Sequence, residues 1–347
     1  MTRPVRARIN LSALQHNFSL AQQTAPDSKV MAVIKADAYG HGMAPVARAL
    51  ERADAFAVAS VEEAMTLRTA GITNTIVLLE GIFSEQELQL ADQHRLEFVI
   101  HMDSQIDWLE NARPKNKFHV WLKVDTGMHR LGVAPDSARA LYKRLAALDC
   151  IDGTPVWMSH LACADEPDRP ETRQQIDSFK AVVEGQPGES SLANSAGLLT
   201  RPDTHYDWVR PGIMLYGSSP LAYSITCPVE LKPVMTLSTE LIAVQLRKAG
   251  EAIGYGGSFV CKKDMRIGVA AIGYGDGYPR HAPTGTPVLV NGTRCSLAGR
   301  VSMDMITIDL SGQPDAKAGD PVVVWGEGLS VDEIAHQAGT IGYELLC

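Results

Sequence analysis

Two textures along the chain predict its fold class. Up to about residue 217, eight short apolar runs alternate with amphipathic stretches; from about residue 229, short strand-like segments are punctuated by Gly, Pro, Asn and Asp. The first texture predicts an α/β architecture with parallel strands, and eight strand–helix repeats predict a closed (β/α)8 barrel of the TIM type rather than an open sheet. The second predicts a mostly antiparallel β domain. A length of 347 residues suits two such domains better than one core. The expected division is residues 1–225 for the barrel and 226–347 for the β-rich part, with 218–227 as the linker.

Barrel strands are expected at residues 30–34, 56–60, 75–79, 96–100, 118–124, 155–159, 190–194 and 206–210. The first of these, Val30-Met31-Ala32-Val33-Ile34, is branched and apolar throughout, as a strand buried on both faces should be. Helical patterns lie between most of the runs, at 61–68 and at 136–147 for example, where Leu141, Leu145 and Leu148 recur on one face. The connection after 190–194 is short. In the second part, strands are expected at 236–245, 266–272, 287–290, 296–298, 305–310 and 321–325. Asn291-Gly292 signals a type I′ hairpin. One helix follows Ser330 as N-cap, with Glu333 three residues later in the capping-box position.

The composition, 45% hydrophobic and 21% charged, is that of a soluble globular protein. A formal charge of −8 without a dense Lys/Arg cluster argues against nucleic acid or an anionic membrane as partner. The basic opening residues lead into no apolar signal core, and no apolar run is long enough to span a bilayer, so a cytoplasmic protein is expected. Six cysteines are scattered with no C-x-x-C pair, which predicts reduced thiols, mostly buried, and neither a zinc site nor a disulfide framework. Cys163 is read as lining a site rather than as a nucleophile, because no base is paired with it in sequence.

Lys35 ends the first barrel strand. A lysine there is held rigidly, with its amine facing whatever the following loop encloses. Partial burial keeps some of the amine neutral, as reaction with an aldehyde requires. In a (β/α)8 barrel, chemistry gathers at the carboxyl ends of the strands. Lys35, Lys123, His160, Asn194 and Arg210 all fall at or near such ends.

Nine blocks then carry a resemblance. They are V-I-K-A-D-A-Y-G-H-G (33–42), L-K-V-D-T-G-M-H-R-L-G (122–132), M-S-H-L-A (158–162), A-N-S-A (193–196), D-W-V-R-P-G-I-M-L-Y-G (207–217), G-Y-G-G-S-F (254–259), G-Y-G-D-G-Y-P-R (273–280), V-S-M-D-M (301–305) and G-Y-E-L (342–345). In this order, spread over nearly the whole chain, they resemble the alanine racemase family. The resemblance implies pyridoxal 5′-phosphate (PLP) as cofactor, held by Lys35. It implies interconversion of L- and D-alanine, either supplying D-alanine for peptidoglycan or serving alanine catabolism, in a homodimer with shared active sites.

Racemisation needs an acid–base group on each face of the substrate Cα. The resemblance assigns these roles to Lys35 and to Tyr255, which in the family reaches the site from the partner subunit. A tyrosine must have its pKa lowered to act as a base near neutrality, and His160 is implied beside it, linked onward to Arg210. Arg210 is the implied partner of the cofactor's pyridine nitrogen; a guanidinium cannot accept a proton, so it leaves that nitrogen unprotonated. Tyr39, Asn194, Ser195, the amides of Gly212 and Ile213, and Tyr343 are the implied cofactor contacts. Gly212 suits the role, since a residue without Cβ lets a phosphate approach the main chain. Arg130 and Met303 are implied at the substrate carboxylate, and Lys123 matches a lysine carbamylated in several members, where it orients the arginine. Tyr274, Asp165, Arg280, Arg300 and Asp304 are implied at the entrance.

The chain ends at Tyr343-Glu344-Leu345-Leu346-Cys347, where family members usually continue into a further short strand. Tyr343 thus lies near a terminus, where order is least assured. A racemase of the same fold that prefers serine or accepts many amino acids stays open on sequence alone. A non-catalytic PLP-binding barrel would lack the part bearing Tyr255, and a decarboxylase of the same plan would carry a carboxylate in place of Arg210. A metal-dependent hydrolase would need ligands clustered around His160.

Overall fold

A computed structural model describes residues 3–347. They divide into two compact units. One comprises residues 14–215 and 220–231; the other comprises the residues up to 13, 216–219 and 232–347.

The larger unit is the expected barrel. After β1 (Arg6–Ile9) and α1 (Leu11–Thr24), the strands are β2 (Lys29–Val33), β3 (Ala55–Val58), β4 (Thr75–Leu78), β5 (Glu97–Ile100), β6 (Val120–Lys123), β7 (Val156–Met158), β8 (Ser190–Asn194) and β9 (Trp208–Arg210). β2 to β9 are parallel neighbours in chain order, and β9 returns to β2 through Lys29↔Trp208 and Val30↔Val209. Their side chains are buried because helices cover the outside while Phe56, Phe98, Trp121 and Trp157 belong to the core. Helix α4 (Val61–Thr69) starts at its cap Ser60, whose Oγ accepts the Glu63 amide. Helix α7 (Pro135–Ala146) buries Ala138, Tyr142 and Leu145, so its inner stripe includes an aromatic in place of Leu141 and Leu148, which are only half-buried. The reason is local: the Tyr142 ring stacks on Trp157 at 4.1 Å, and its hydroxyl donates to the carbonyls of Pro155 and Pro187. The short β8–β9 connection holds only Ser195–Thr200 in helix and a 3-10 turn at Pro202–Thr204.

The smaller unit is an antiparallel sheet, as expected, in the order β1, β10 (Met235–Arg247), β13 (Met265–Ala270), β16 (Ile306–Asp309), β15 (Thr293–Leu297), β14 (Pro287–Val290), β17 (Pro321–Trp325). β10 is long enough to pair with β17 through Leu237–Glu240 and with β13 through Leu241–Arg247, so the sheet closes on itself. A small hairpin of β11 (Ala252–Ile253) and β12 (Phe259–Val260) projects beside it. β1 was not expected: Arg-Ala-Arg-Ile shows no apolar alternation and its side chains are mostly exposed. Backbone pairing with β10, from Arg6↔Ser238 to Ile9↔Met235, makes it an edge strand of this unit, blunted by its arginines.

Asn291 and Gly292 both have positive φ, 51° and 74°, as a type I′ turn requires. The helix after Ser330 runs Val331–Ala338, but the capping box does not form. Ser330 Oγ accepts the Asp332 amide at 3.1 Å, and Glu333 turns away to pair with Arg294 on β15. All six cysteines are free; three are buried and Cys347 is exposed. Among the described residues no helix is long and apolar enough to cross a membrane.

The hairpin yields a stability prediction. Gly292→Val forces a β-branched residue into the left-handed region and should cost about 1–3 kcal/mol. A urea midpoint equal to that of the parent would show that the turn does not need its glycine.

Candidate active site

At the end of β2 the chain turns abruptly. Ile34 leaves the strand conformation with ψ 22°, and Ala36, Asp37, Ala38 and Tyr39 all adopt left-handed values, φ 50° to 56°. Such a conformation costs each non-glycine residue about 1–2 kcal/mol, and four in a row are expected only where tertiary contacts impose them. The turn leaves the Lys35 side chain 36% exposed, with Nζ 3.9 Å from Glu80 Oε1 at the end of β4. It also buries Tyr39. A Cβ added to Gly212, beyond β9, would lie only 2.7 Å from Tyr39 Oη, so the hydroxyl and that stretch of main chain meet because the residue is glycine. The Gly212 amide donates to Ser195 Oγ at 2.8 Å, and Asn194 Oδ1 accepts the Gly197 amide at 2.9 Å. Tyr39, Asn194, Ser195, Gly212 and buried Ile213 are therefore gathered around the ends of β8 and β9.

Arg210 ends β9 and is only 4% exposed. Its Nη1 donates to Ser191 Oγ (2.5 Å); its Nη2 donates to the carbonyls of Ser159 (2.6 Å) and Leu192 (3.2 Å) and stands 3.4 Å from His160 Nδ1. These acceptors are all neutral. Burial lowers the guanidinium pKa to about 10, which still leaves it charged near neutrality. Burial, followed by the charges of Arg210, Lys123, Arg130 and Lys35, holds the His160 pKa well below its ordinary value.

Lys123 ends β6 and is buried. Burial first, then the positive charges of Arg210, Arg130 and Lys35, lower its pKa to about 8; Asp125 opposes them only weakly. Arg130 is exposed on the loop after β6. Asp125 shapes that loop by accepting the amides of Gly127 and His129 at 3.0 and 2.9 Å. Asp165 is exposed on the loop after β7, and its carbonyl accepts the Ala222 amide.

The smaller unit carries the other expected residues on adjoining loops. Tyr255 is 69% exposed and Met303 55%. The Tyr274 and Gly275 amides donate to the Ser302 and Met303 carbonyls at 3.1 and 2.8 Å, and Arg280 lies over the Tyr274 ring. The Arg300 guanidinium packs beside Gly256. Arg3 grips Asp276 with two hydrogen bonds and donates to the Asp304 carbonyl, which ties the two loops together. Tyr343 sits on the terminal helix Gly342–Leu346.

Sequence reasoning missed the Arg210 acceptors Ser159, Ser191 and Leu192, and Glu80 beside Lys35. Ser159 lay inside the block M-S-H-L-A, but a serine or carbonyl next to an arginine has no sequence signature. Among the described residues no group of three or more His, Cys, Asp and Glu side chains could hold a metal ion.

The low pKa of Lys123 has a measurable consequence. Between about 8 and 10.5 the unfolded chain binds a proton that the native chain does not, so stability rises with pH through that window. In CO2-free buffer, Lys123→Met should be more stable than the parent at neutral pH by about 1–3 kcal/mol. The gap should close as pH climbs toward 10.5, and a gap independent of pH would show that the amine is not the destabilising group.

The fold and these residues have counterparts. Residues 9–220 match the sequence model of the alanine racemase N-terminal domain, and residues 234–347 that of the C-terminal domain. The alanine racemase of Thioalkalivibrio sulfidiphilus is 54% identical over 100% of this chain and 97% of its own length. The crystal structure of biosynthetic alanine racemase from Pseudomonas aeruginosa superposes with a TM-score of 0.95 at 49% identity, covering 99% of this chain and 96% of that one. Alanine racemase from Bartonella henselae with covalently bound pyridoxal phosphate superposes with a TM-score of 0.89 at 30% identity, over 99% and 96% of the two chains. A barrel with a lysine, a neutral histidine and a buried arginine at its mouth, matched along its whole length by these relatives, is a racemase, and the chain belongs to the alanine racemase family.

Proposed function

We propose that this racemase interconverts L- and D-alanine with PLP, as a homodimer whose active sites are shared between subunits. The observation that carries the reading is the Lys35, His160 and Arg210 grouping at the barrel mouth, next to a main-chain cradle at Gly212 that a Cβ would fill. Bound there, PLP would supply the electron sink that makes an amino-acid Cα proton removable.

The chain's own residues do the rest. Lys35 anchors the cofactor and serves one face of Cα. Tyr255 of the partner subunit serves the other face, with His160 beside it. Arg210, whose Nη atoms are committed to Ser191, Ser159 and Leu192, has Nε left for the pyridine nitrogen and cannot give that nitrogen a full proton. Tyr39, Ser195, the amides of Gly212 and Ile213, and Tyr343 hold the phosphate through neutral donors, with Asn194 as a further cofactor contact. Arg130 and Met303 receive the substrate carboxylate, and Tyr274, Asp165, Arg280, Arg300 and Asp304 shape the entrance.

Lys123 is poised for carbamylation. The neutral fraction of its amine attacks CO2; a nitrogen–carbon bond forms, one proton leaves, and the resulting anion sits among the positive charges of Arg210, Arg130 and Lys35. A carbamate there would orient Arg130. The biosynthetic designation of the Pseudomonas aeruginosa relative favours supply of D-alanine for peptidoglycan over catabolism.

The direct test is chiral chromatography of L-alanine and, in parallel, L-serine after incubation with the PLP-loaded protein. D-alanine should form much faster than D-serine, and Lys35→Ala should abolish both; comparable D-serine formation would overturn the alanine preference. Sharing of sites is tested with verified heterodimers of Lys35→Ala and Tyr255→Phe subunits. One of their two sites should regain both acid–base groups, giving roughly half of parental activity if sites act independently. Heterodimers as inactive as either homodimer would refute sharing.

A further inference from the structure

Four consecutive left-handed residues need an anchor, and the structure supplies one from outside the turn. Glu63, the third residue of α4, spans two strand ends with a single carboxylate. Its Oε1 accepts the Ala36 amide at 2.7 Å, directly after Lys35, and its Oε2 accepts the Ala59 amide at 2.7 Å, directly after β3. The rest of the turn is closed locally. Asp37 Oδ1 accepts the Met43 amide at 2.7 Å, and buried His41 sends Nδ1 to the Tyr39 and Ala38 carbonyls at 2.6 and 3.1 Å. Of these contacts, only the Glu63 bridge ties the amide next to Lys35 to a neighbouring barrel strand and its helix.

We propose that Glu63 is a positioning residue that fixes the start of the left-handed turn, and thereby the aim of Lys35 and the placement of the Tyr39 hydroxyl beside Gly212. A carboxylate suits the task because both oxygens accept, whereas an amide offers one acceptor and one donor. Without the bridge, the Ala36 amide loses its partner and the strained turn loses the contact that stops it relaxing toward right-handed backbone. The Glu63 carboxylate is spent on the two main-chain amides, so its role is exercised through Lys35 and Tyr39. The inference rests on the reading that Lys35 and Tyr39 hold PLP.

The test compares Glu63→Ala and Glu63→Gln with Leu67→Val, which removes volume from the buried face of the same helix one turn further on and leaves both carboxylate acceptors in place. Two readouts are taken: PLP dissociation followed by absorbance, and hydrogen exchange at the Ala36 amide in the cofactor-free protein. Glu63→Ala should weaken PLP binding roughly tenfold or more, the worth of one charge-assisted hydrogen bond, with Glu63→Gln between it and the parent. Ala36 exchange should accelerate in both. Leu67→Val should lower the melting temperature without moving either readout. If Glu63→Ala does not fold, the Gln variant carries the comparison. Parental PLP affinity and parental Ala36 protection in Glu63→Gln would overturn the proposal. A parent protein that binds no PLP would instead overturn the functional reading, while the Ala36 exchange still decides the role of Glu63.

Discussion

The site depends on one buried positive charge. Arg210 is enclosed at the end of β9, and its acceptors are a hydroxyl and two carbonyls from β8 and the end of β7. A carboxylate partner would cancel the charge locally. Neutral acceptors satisfy its hydrogen bonds and leave the charge acting on everything nearby. His160 is kept neutral, and the Lys123 pKa falls to about 8, with burial as the larger cause in each case and Arg210 the first of the charges. Burying a charge is costly unless its hydrogen bonds are met, so Ser159, Ser191 and Leu192 are as necessary to the site as the arginine.

The second constraint is geometric. Lys35 and Tyr39 are four residues apart, and the left-handed backbone between them sends the tyrosine hydroxyl to the main chain at Gly212 on the far side of the barrel's closing seam. β2 and β9 are neighbours there, through Lys29↔Trp208 and Val30↔Val209. Strain in one loop and the missing Cβ in another thus answer each other, which is the pattern expected where a backbone must approach a ligand closely.

The two units divide their labour by burial. The barrel buries Arg210 and Lys123 at its strand ends, where burial lowers the pKa of both. The smaller unit displays Tyr255, Met303 and Tyr274 outward; the Met303 and Tyr274 loops are interlocked by main-chain hydrogen bonds and by Arg3, and the Tyr255 turn packs beside Arg300. A side chain that acts by contact need not be buried in its own unit, but its loop must be stiff enough to present it in one place.

The sequence by itself determined the eight barrel strands, the antiparallel sheet and the hairpin at Asn291-Gly292, because hydrophobic period and turn chemistry are local properties. It also carried the identities of the lysine, the tyrosines and the arginines, through blocks whose order is readable without coordinates. Tertiary structure alone decided what surrounds them. β1 joined the second unit through backbone pairing that its polar side chains do not advertise. Ser330 capped the Asp332 amide because Arg294 drew Glu333 away. The charge state of Lys123, the neutrality of His160, the acceptors of Arg210 and the bridge made by Glu63 all arise from groups far apart in the chain. Desolvation and Coulomb interactions act through space, and closing the barrel is what brings those groups within their range.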